Sequence, residues 1–202
     1  TCKKEQIDLP LSLINHRGPD EQNIYCNDDI LLGHTRLSII DIKHGQQPMH
    51  FSYNEKNYSI IYNGEVYNYP EIRAELRGTW DFKTQSDTET LLLLYIEYGR
   101  EMFDMIDGMF AFAIYDSENS KVIIARDRIG KKPLYIYTNG SDLMFSSELI
   151  GIKAAIKDLD INEEAVSSYL RTGFFFRHHT PYTDIEEVEA GPKPESPEDA
   201  FL

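Results

Sequence analysis

Apolar and polar positions alternate in blocks along the chain, and each block predicts a different element. The first 16 residues carry a helix that ends near His16. Arg17-Gly18-Pro19-Asp20 halts it, because proline restricts its neighbour and glycine frees the backbone. Short apolar runs at residues 30–34, 36–41 and 58–62 predict a β-rich stretch, the last being rich in β-branched and aromatic side chains. Helices follow. Pro70 suits a first helical turn, with Ile72 and Leu76 on one face. Ser86 or Asp87 caps a second helix that runs to about Tyr98-Gly99. Residues 109–115 are continuously apolar, the pattern of a strand buried on both faces, and 121–126 pair with them across a polar turn. Asn139-Gly140 marks a hairpin between residues 134–138 and 143–146. Helix returns after Glu148 and again over 162–170. Two β-rich blocks joined by short loops bracket a helical middle. The prediction is an α+β fold with mostly antiparallel sheets and helices outside.

With 202 residues, 41% hydrophobic and 27% charged, the chain can bury a core without cross-links. Residues 1–190 read as one domain and the proline-rich, acidic 191–202 as a linker or tail. The longest apolar run, Leu91-Leu92-Leu93-Leu94-Tyr95-Ile96, falls well short of a membrane span, and the first residues do not read as a signal peptide. Acids outnumber bases 34 to 20 and no basic stripe exists, which argues against nucleic acid and anionic membranes as partners. Two cysteines, Cys2 and Cys26, form no CxxC pair and imply no disulfide framework. A reduced, cytoplasmic protein is expected, with Cys26 a structural thiol. The adjacent His178 and His179 are poorly placed to share a metal, and none is expected.

Four groups offer chemistry. Asn63-Gly64-Glu65 is either a turn or an asparagine amide beside a glycine N–H, a pair able to hold an oxyanion. Arg36 is either a surface charge or a planar fork for a carboxylate. Asp87 is a helix cap or a partner for an ammonium group. Arg126-Asp127-Arg128 with Gly130-Lys131-Lys132-Pro133 is an exposed turn or a loop that closes over a neighbouring site.

Their joint order is more specific. His16-Arg17-Gly18-Pro19-Asp20, Gly33-His34-Thr35-Arg36-Leu37-Ser38-Ile39-Ile40-Asp41 and Gln47-Pro48-Met49 resemble the glutamine-hydrolysing asparagine synthetases. So do Tyr62-Asn63-Gly64-Glu65-Val66-Tyr67-Asn68, Ser86-Asp87-Thr88-Glu89, Asp107-Gly108-Met109-Phe110-Ala111-Phe112-Ala113, Arg126 to Tyr135 and Ser146-Ser147-Glu148. The resemblance implies a class II glutamine amidotransferase domain, an N-terminal-nucleophile hydrolase with a four-layer αββα sandwich. It implies glutamine as substrate, attacked by a cysteine at the mature N-terminus to give a thioester, then glutamate and ammonia. Asn63 and Gly64 match the oxyanion donors, and Arg36 the residue that holds the glutamine α-carboxylate, with the backbone of Leu37, Ser38, Ile39 and Ile40 beside it. Glu65 and Asp87 match positions around the α-amino group.

The pattern is departed from at both ends. Cys2 lies only 15 positions before Arg17 and is followed by Lys3-Lys4-Glu5, where the family has a glycine and an apolar strand. The expectation is that the opening strand and the nucleophile are not among these residues; Cys2 after loss of Thr1 is the alternative. No pyrophosphate loop is present, so ATP and Mg are expected only for a separate ammonia-accepting synthetase domain, in cis or in trans, and no cofactor for this chain. A homodimer is an allowed assembly. Two other readings remain: a non-catalytic glutamine-binding or interaction module on the same fold, and the amidotransferase half of a phosphoribosyl or hexosamine enzyme.

Overall fold

The computed structural model describes residues 3–140 and 142–190. Helix α1 (Glu5–Leu13) and a 3-10 turn lead to a hairpin of β1 (Glu21–Cys26) and β2 (Leu31–Arg36), which forms a two-stranded sheet. A four-stranded sheet follows in the order β3 (Met49–Tyr53), β4 (Lys56–Val66), β5 (Gly108–Asp116) and β6 (Lys121–Arg126). Helices α2 (Tyr69–Leu76) and α3 (Asp87–Tyr98) and the single turn α4 (Met102–Met105) lie between β4 and β5 in sequence. The last sheet has the order β8-β7-β9, made by β7 (Tyr135–Asn139), β8 (Asp142–Ser146) and β9 (Ile185–Glu187), with α5 (Leu149–Ala155) and α6 (Glu163–Thr172) between β8 and β9 in sequence. Every strand pair in these sheets is antiparallel, as the short loops predict.

Strand alternation creates the layers. In β4, Tyr58, Ile60, Tyr62 and Val66 face the core shared with Ile72, Leu76 and the leucines of α3; from β5 come Phe110, Phe112 and Ile114. The other face carries Ile61, Asn63, Ala111 and Ala113 towards the two smaller sheets. Helices α1 and α5 pack on each other and over β2 and β8. The four layers are therefore helices, the four-stranded sheet, the two smaller sheets side by side, and helices again. The strand at 109–115 is buried on both sides as expected, with Phe110, Phe112 and Ile114 on the helix face and Ala111 and Ala113 on the inner face.

Three expectations are corrected. Asn63-Gly64 is not a turn: both lie inside β4, paired with Ala111 and Phe110. A side chain at 64 would meet the Met109 carbonyl oxygen at 2.1 Å, so close approach of β5, not turn geometry, requires glycine there. The apolar run 36–41 does not continue as a strand. It leaves the sheet at Arg36 because Asp20 accepts the Ser38 N–H at 2.8 Å and the chain wraps back around the guanidinium. Cys26, expected as a thiol, is disulfide-bonded. Cys2 and the tail at 191–202 lie outside the described residues.

The 126–133 segment is a loop with Arg128, Ile129 and Lys131 exposed and Lys132 in the lining of the cavity, built around two inward side chains, Arg126 and Asp127. Arg126 donates to the carbonyls of Gly130, Lys132 and Val188 and pairs with Glu187 at 2.7 Å, fastening β6 to the end of β9. Asp127 has no exposed surface, and its carboxylate accepts the N–H groups of Phe110, Ile129, Lys131 and Lys132. Burial pushes its carboxyl pKa up, but the N–H bonds, led by those of Lys131 and Lys132, outweigh it and hold the group below the usual carboxylate range. Asp127→Ala leaves those donors unpaired and is expected to cost about 3 kcal/mol in urea unfolding at neutral pH. Because the folded pKa is depressed, the wild-type advantage is present above the ordinary aspartate range and disappears as pH falls through the folded value.

Candidate functional site

Between the four-stranded sheet and the smaller sheets lies a cavity of about 520 Å³. Arg36, Leu37, Ile39, Ile40, Asn63, Gly64, Glu65 and Asp87 all line it. Of the residues singled out in the sequence, the structure thus brings together eight. Ser38 is not in the lining, and Cys2 lies outside the described residues.

The centre of the site is the edge of β4 that β3 leaves uncovered beyond Ile60. Along a strand, every second N–H points the same way. The Tyr62 N–H goes to the Gln47 side-chain oxygen at 2.6 Å, and the Val66 N–H goes to Asp87 at 3.4 Å, both away from β5. The Gly64 N–H sits between them with the same orientation. Neither neighbour takes it, so it faces the open edge. Gln47 also donates to the Tyr62 carbonyl at 3.0 Å, so its amide stands in for a missing strand at this point. Beside Gly64, the Asn63 Nδ2 is buried with no hydrogen-bond partner.

His34, also in the lining, fixes the other wall. Its Nε2 donates to the Tyr62 carbonyl at 3.2 Å, which leaves the buried Nδ1 as an unpartnered acceptor. Burial pushes the imidazole pKa down to about 4, so the ring is neutral near pH 7. Asp87 accepts the Tyr62 hydroxyl at 2.8 Å and is 4% exposed. Burial raises its carboxyl pKa, and the Tyr62 hydroxyl and the Val66 and Thr88 N–H groups partly offset the rise. The helix-cap reading of Asp87 does not hold, since Ser86 caps α3 by accepting the Thr88 N–H. Glu65 is exposed at the cavity and pairs with no cation among the described residues.

Arg36 is 6% exposed, not a surface charge. Its guanidinium donates to the carbonyls of Ile40, Asp41 and Ile42 and to Glu21 at 3.3 Å. Only its Nε–H makes no hydrogen bond among the described residues. The loop that surrounds it is tied down a second time, because Asp41 accepts the Gln85 N–H at 2.7 Å next to the start of α3. At the far rim, Glu148 accepts from both Arg17, at 3.0 Å, and His16, at 2.9 Å. Burial raises the Glu148 pKa, but these two partners bring it below the usual range. Sequence reasoning assigned no role to Gln47, His34 or Tyr62, although all three stood in the quoted motifs. A glutamine that replaces a strand neighbour leaves no periodic signal. Among the described residues no group of three or more His, Cys, Asp or Glu could hold a metal ion, and no helix is long and apolar enough to cross a membrane.

The family model described as "Glutamine amidotransferase domain" matches residues 1–200. The chain is 38% identical over 190 residues to asparagine synthetase [glutamine-hydrolyzing] 1 of Bacillus subtilis, covering 94% of this chain and 30% of that protein. It is 41% identical over 170 residues to asparagine synthetase B [glutamine-hydrolyzing] of Escherichia coli, covering 83% and 30% respectively. With the Zea mays asparagine synthetase [glutamine-hydrolyzing] it shares 45% identity over 138 residues, 67% of this chain and 23% of the relative. The chain thus spans less than a third of the length of these relatives. The glutamine phosphoribosylpyrophosphate amidotransferase of B. subtilis has a similar structure, with a TM-score of 0.65 over 75% of this chain and 41% of that one; at 23% identity the likeness concerns the fold.

The Tyr62–Asp87 contact generates a titration prediction. Tyr62→Phe removes a hydrogen bond to the charged carboxylate, so the Asp87 pKa is expected to rise further, as read by carboxyl ¹³C shifts against pH. A folded pKa above the unfolded one means that stability falls as pH rises from the ordinary aspartate range to the folded value. That fall is expected to span a wider pH interval in the variant.

Proposed function

The chain belongs to the glutamine amidotransferase domain family, and from that premise we propose that its cavity binds L-glutamine and is the glutaminase site of an asparagine synthetase-type enzyme. The observation that carries this reading is the pair of unused donors, the Gly64 N–H and the Asn63 amide, beside buried Asp87 and Arg36 in one cavity. Arg36 pairs with the α-carboxylate, and Asp87 and Glu65 surround the α-ammonium group. The side-chain amide of glutamine then reaches the Asn63–Gly64 end. There a thiolate adds to the amide carbon, the oxygen becomes negative, and the two donors stabilise it. The C–N bond breaks, the nitrogen takes a proton and leaves as ammonia, and water releases glutamate from the thioester. The thiolate belongs to a cysteine outside the described residues. Ammonia passes to a synthetase domain, in cis or in trans, that uses ATP and Mg to amidate aspartate. The asparagine synthetases at 38–45% identity favour this over a phosphoribosyl or hexosamine enzyme.

Calorimetry with L-glutamine and intact-mass analysis after exposure to the glutamine-like electrophile 6-diazo-5-oxo-L-norleucine test the reading together. The expected result is one bound glutamine per chain and, in protein that carries the N-terminal cysteine, one adduct on that cysteine. Asn63→Ala is expected to keep glutamine affinity within a few-fold and to slow glutaminase turnover about 10²- to 10³-fold. Asp87→Asn is expected to weaken glutamine binding by about 2 kcal/mol. Binding without an adduct supports the non-catalytic glutamine-binding module instead. Absence of both, or full affinity in Asp87→Asn, overturns the assignment.

A further inference from the structure

The loop between β6 and β7 brings Lys132 into the lining of the cavity. Its main chain is fixed from two sides. The Lys132 N–H donates to Asp127 Oδ2 at 2.9 Å, and the Lys132 carbonyl accepts the Arg126 Nε–H at 2.6 Å. Both partners are buried, Asp127 completely. Pro133 follows and narrows the conformations open to Lys132. The same Asp127 oxygen accepts the Phe110 N–H at 3.3 Å, and Phe110 is the β5 partner of Gly64. The flexible four-carbon stem of Lys132 is therefore rooted one carboxylate oxygen away from the strand position that faces Gly64.

The cations of the lining differ in what surrounds them. Arg17 pairs with Glu148 at 3.0 Å, and Arg36 with Glu21 at 3.3 Å and with three carbonyls. The Lys132 ammonium makes no ion pair and no hydrogen bond among the described residues, in a chain with 34 acids against 20 bases. Lys132 is half-buried, and protein around an ammonium lowers the local dielectric and strengthens its pull on an anion. Arg36 already matches the α-carboxylate of glutamine, so the anion that suits Lys132 lies at the other end of the ligand. Bound glutamine has none there. Negative charge appears at that end when a thiolate adds to the amide, and again on the γ-carboxylate of the glutamate released. We propose that Lys132 is the cation of the acyl end: its ammonium stabilises the negative oxygen beside Asn63 and Gly64 and pairs with the γ-carboxylate of glutamate. The inference rests on the glutamine reading and adds to it a group that distinguishes product from substrate. A fixed cation aimed at charge that develops during the reaction favours the later states over the neutral amide. Glu65 also lines the cavity, and a Lys132 committed to Glu65 would act at the ammonium end of both ligands alike.

Calorimetry with L-glutamine and L-glutamate on the full chain, as wild type, Lys132→Met and Lys132→Arg, tests the proposal. The wild type is expected to bind both ligands. Lys132→Met is expected to weaken glutamate at least about tenfold and glutamine by no more than about threefold, and Lys132→Arg to return glutamate to within about threefold of wild type. The bonds to Asp127 and Arg126 use the main chain of residue 132, so both variants keep them. Should Lys132→Met nonetheless not fold, wild-type protein labelled with ¹³C-lysine decides. Its Lys132 Cε signal, assigned from its loss in Lys132→Arg, is expected to move with glutamate and to stay in place with glutamine. Equal weakening of both ligands or unchanged glutamate affinity in Lys132→Met overturns the proposal while the glutamine reading stands, as does a wild type that binds glutamine alone. A wild type that binds neither ligand overturns the glutamine reading and the proposal with it.

Discussion

The register of β4 against β5 is the constraint on which the site depends. It decides that Tyr62, Gly64 and Val66 turn their N–H groups away from β5, and that Asn63 turns its side chain away from the helices. Because β3 pairs only as far as Ile60, those N–H groups emerge on an uncovered edge. A shift of one residue would hand them all to β5 and point Asn63 into the core. Glycine at 64 and glycine at 108 protect the register, since a side chain at either would run into the backbone of the facing strand. Packing reinforces it: Tyr62 and Phe112 can be buried against α3 only in this phase.

The open edge is managed by side chains rather than by a strand. Gln47 supplies both an acceptor and a donor to Tyr62, His34 adds a second donor to the same carbonyl, and Asp87 takes the Val66 N–H. Each of these bonds lies in a region poor in water, where an unpaired peptide group is costly. The groups left without a partner between them, at Asn63 and Gly64, are therefore expensive for the protein to maintain. Among the described residues the buried His34 Nδ1, in the same cavity, is likewise without a partner. Burial keeps His34 neutral, so its ring adds no positive charge beside them.

Much of the fold was legible in the chain. The helix boundaries around Ser86 and Asn162 follow from their caps, both of which form, and the strand after Gly108 follows from its apolar run. Even the two faces of β5 are written in Phe110-Ala111-Phe112-Ala113, large and small in alternation. What failed did so for tertiary reasons. Asn63-Gly64 carries the local signature of a turn, and pairing with β5 overrides it. Residues 37–41 are apolar enough for a strand, yet Leu37 and Ile39 are exposed because the carbonyls of 40–42 are spent on Arg36. The three-residue β9 is too short to show any period. The candidate site residues were found from their order along the chain, and composition or periodicity alone gave no reason to group them.

Arg36 shows how far the arrangement is already prepared. Its guanidinium is buried and oriented by three carbonyls and the Glu21 carboxylate, with one N–H without a partner among the described residues. A carboxylate that reaches it does not have to order a flexible side chain. Where it takes the place of a carbonyl, a charged acceptor replaces a neutral one, and charge-assisted hydrogen bonds are roughly twice as strong as neutral ones. The carbonyls released in the exchange belong to a loop that Asp41 still holds to Gln85, so the displaced segment stays anchored at the start of α3. Asp87 lies two residues further on, at the first position of that helix. Arg36 and Asp87 are thus connected through the loop at 40–42 and one hydrogen bond, from the Gln85 N–H to Asp41.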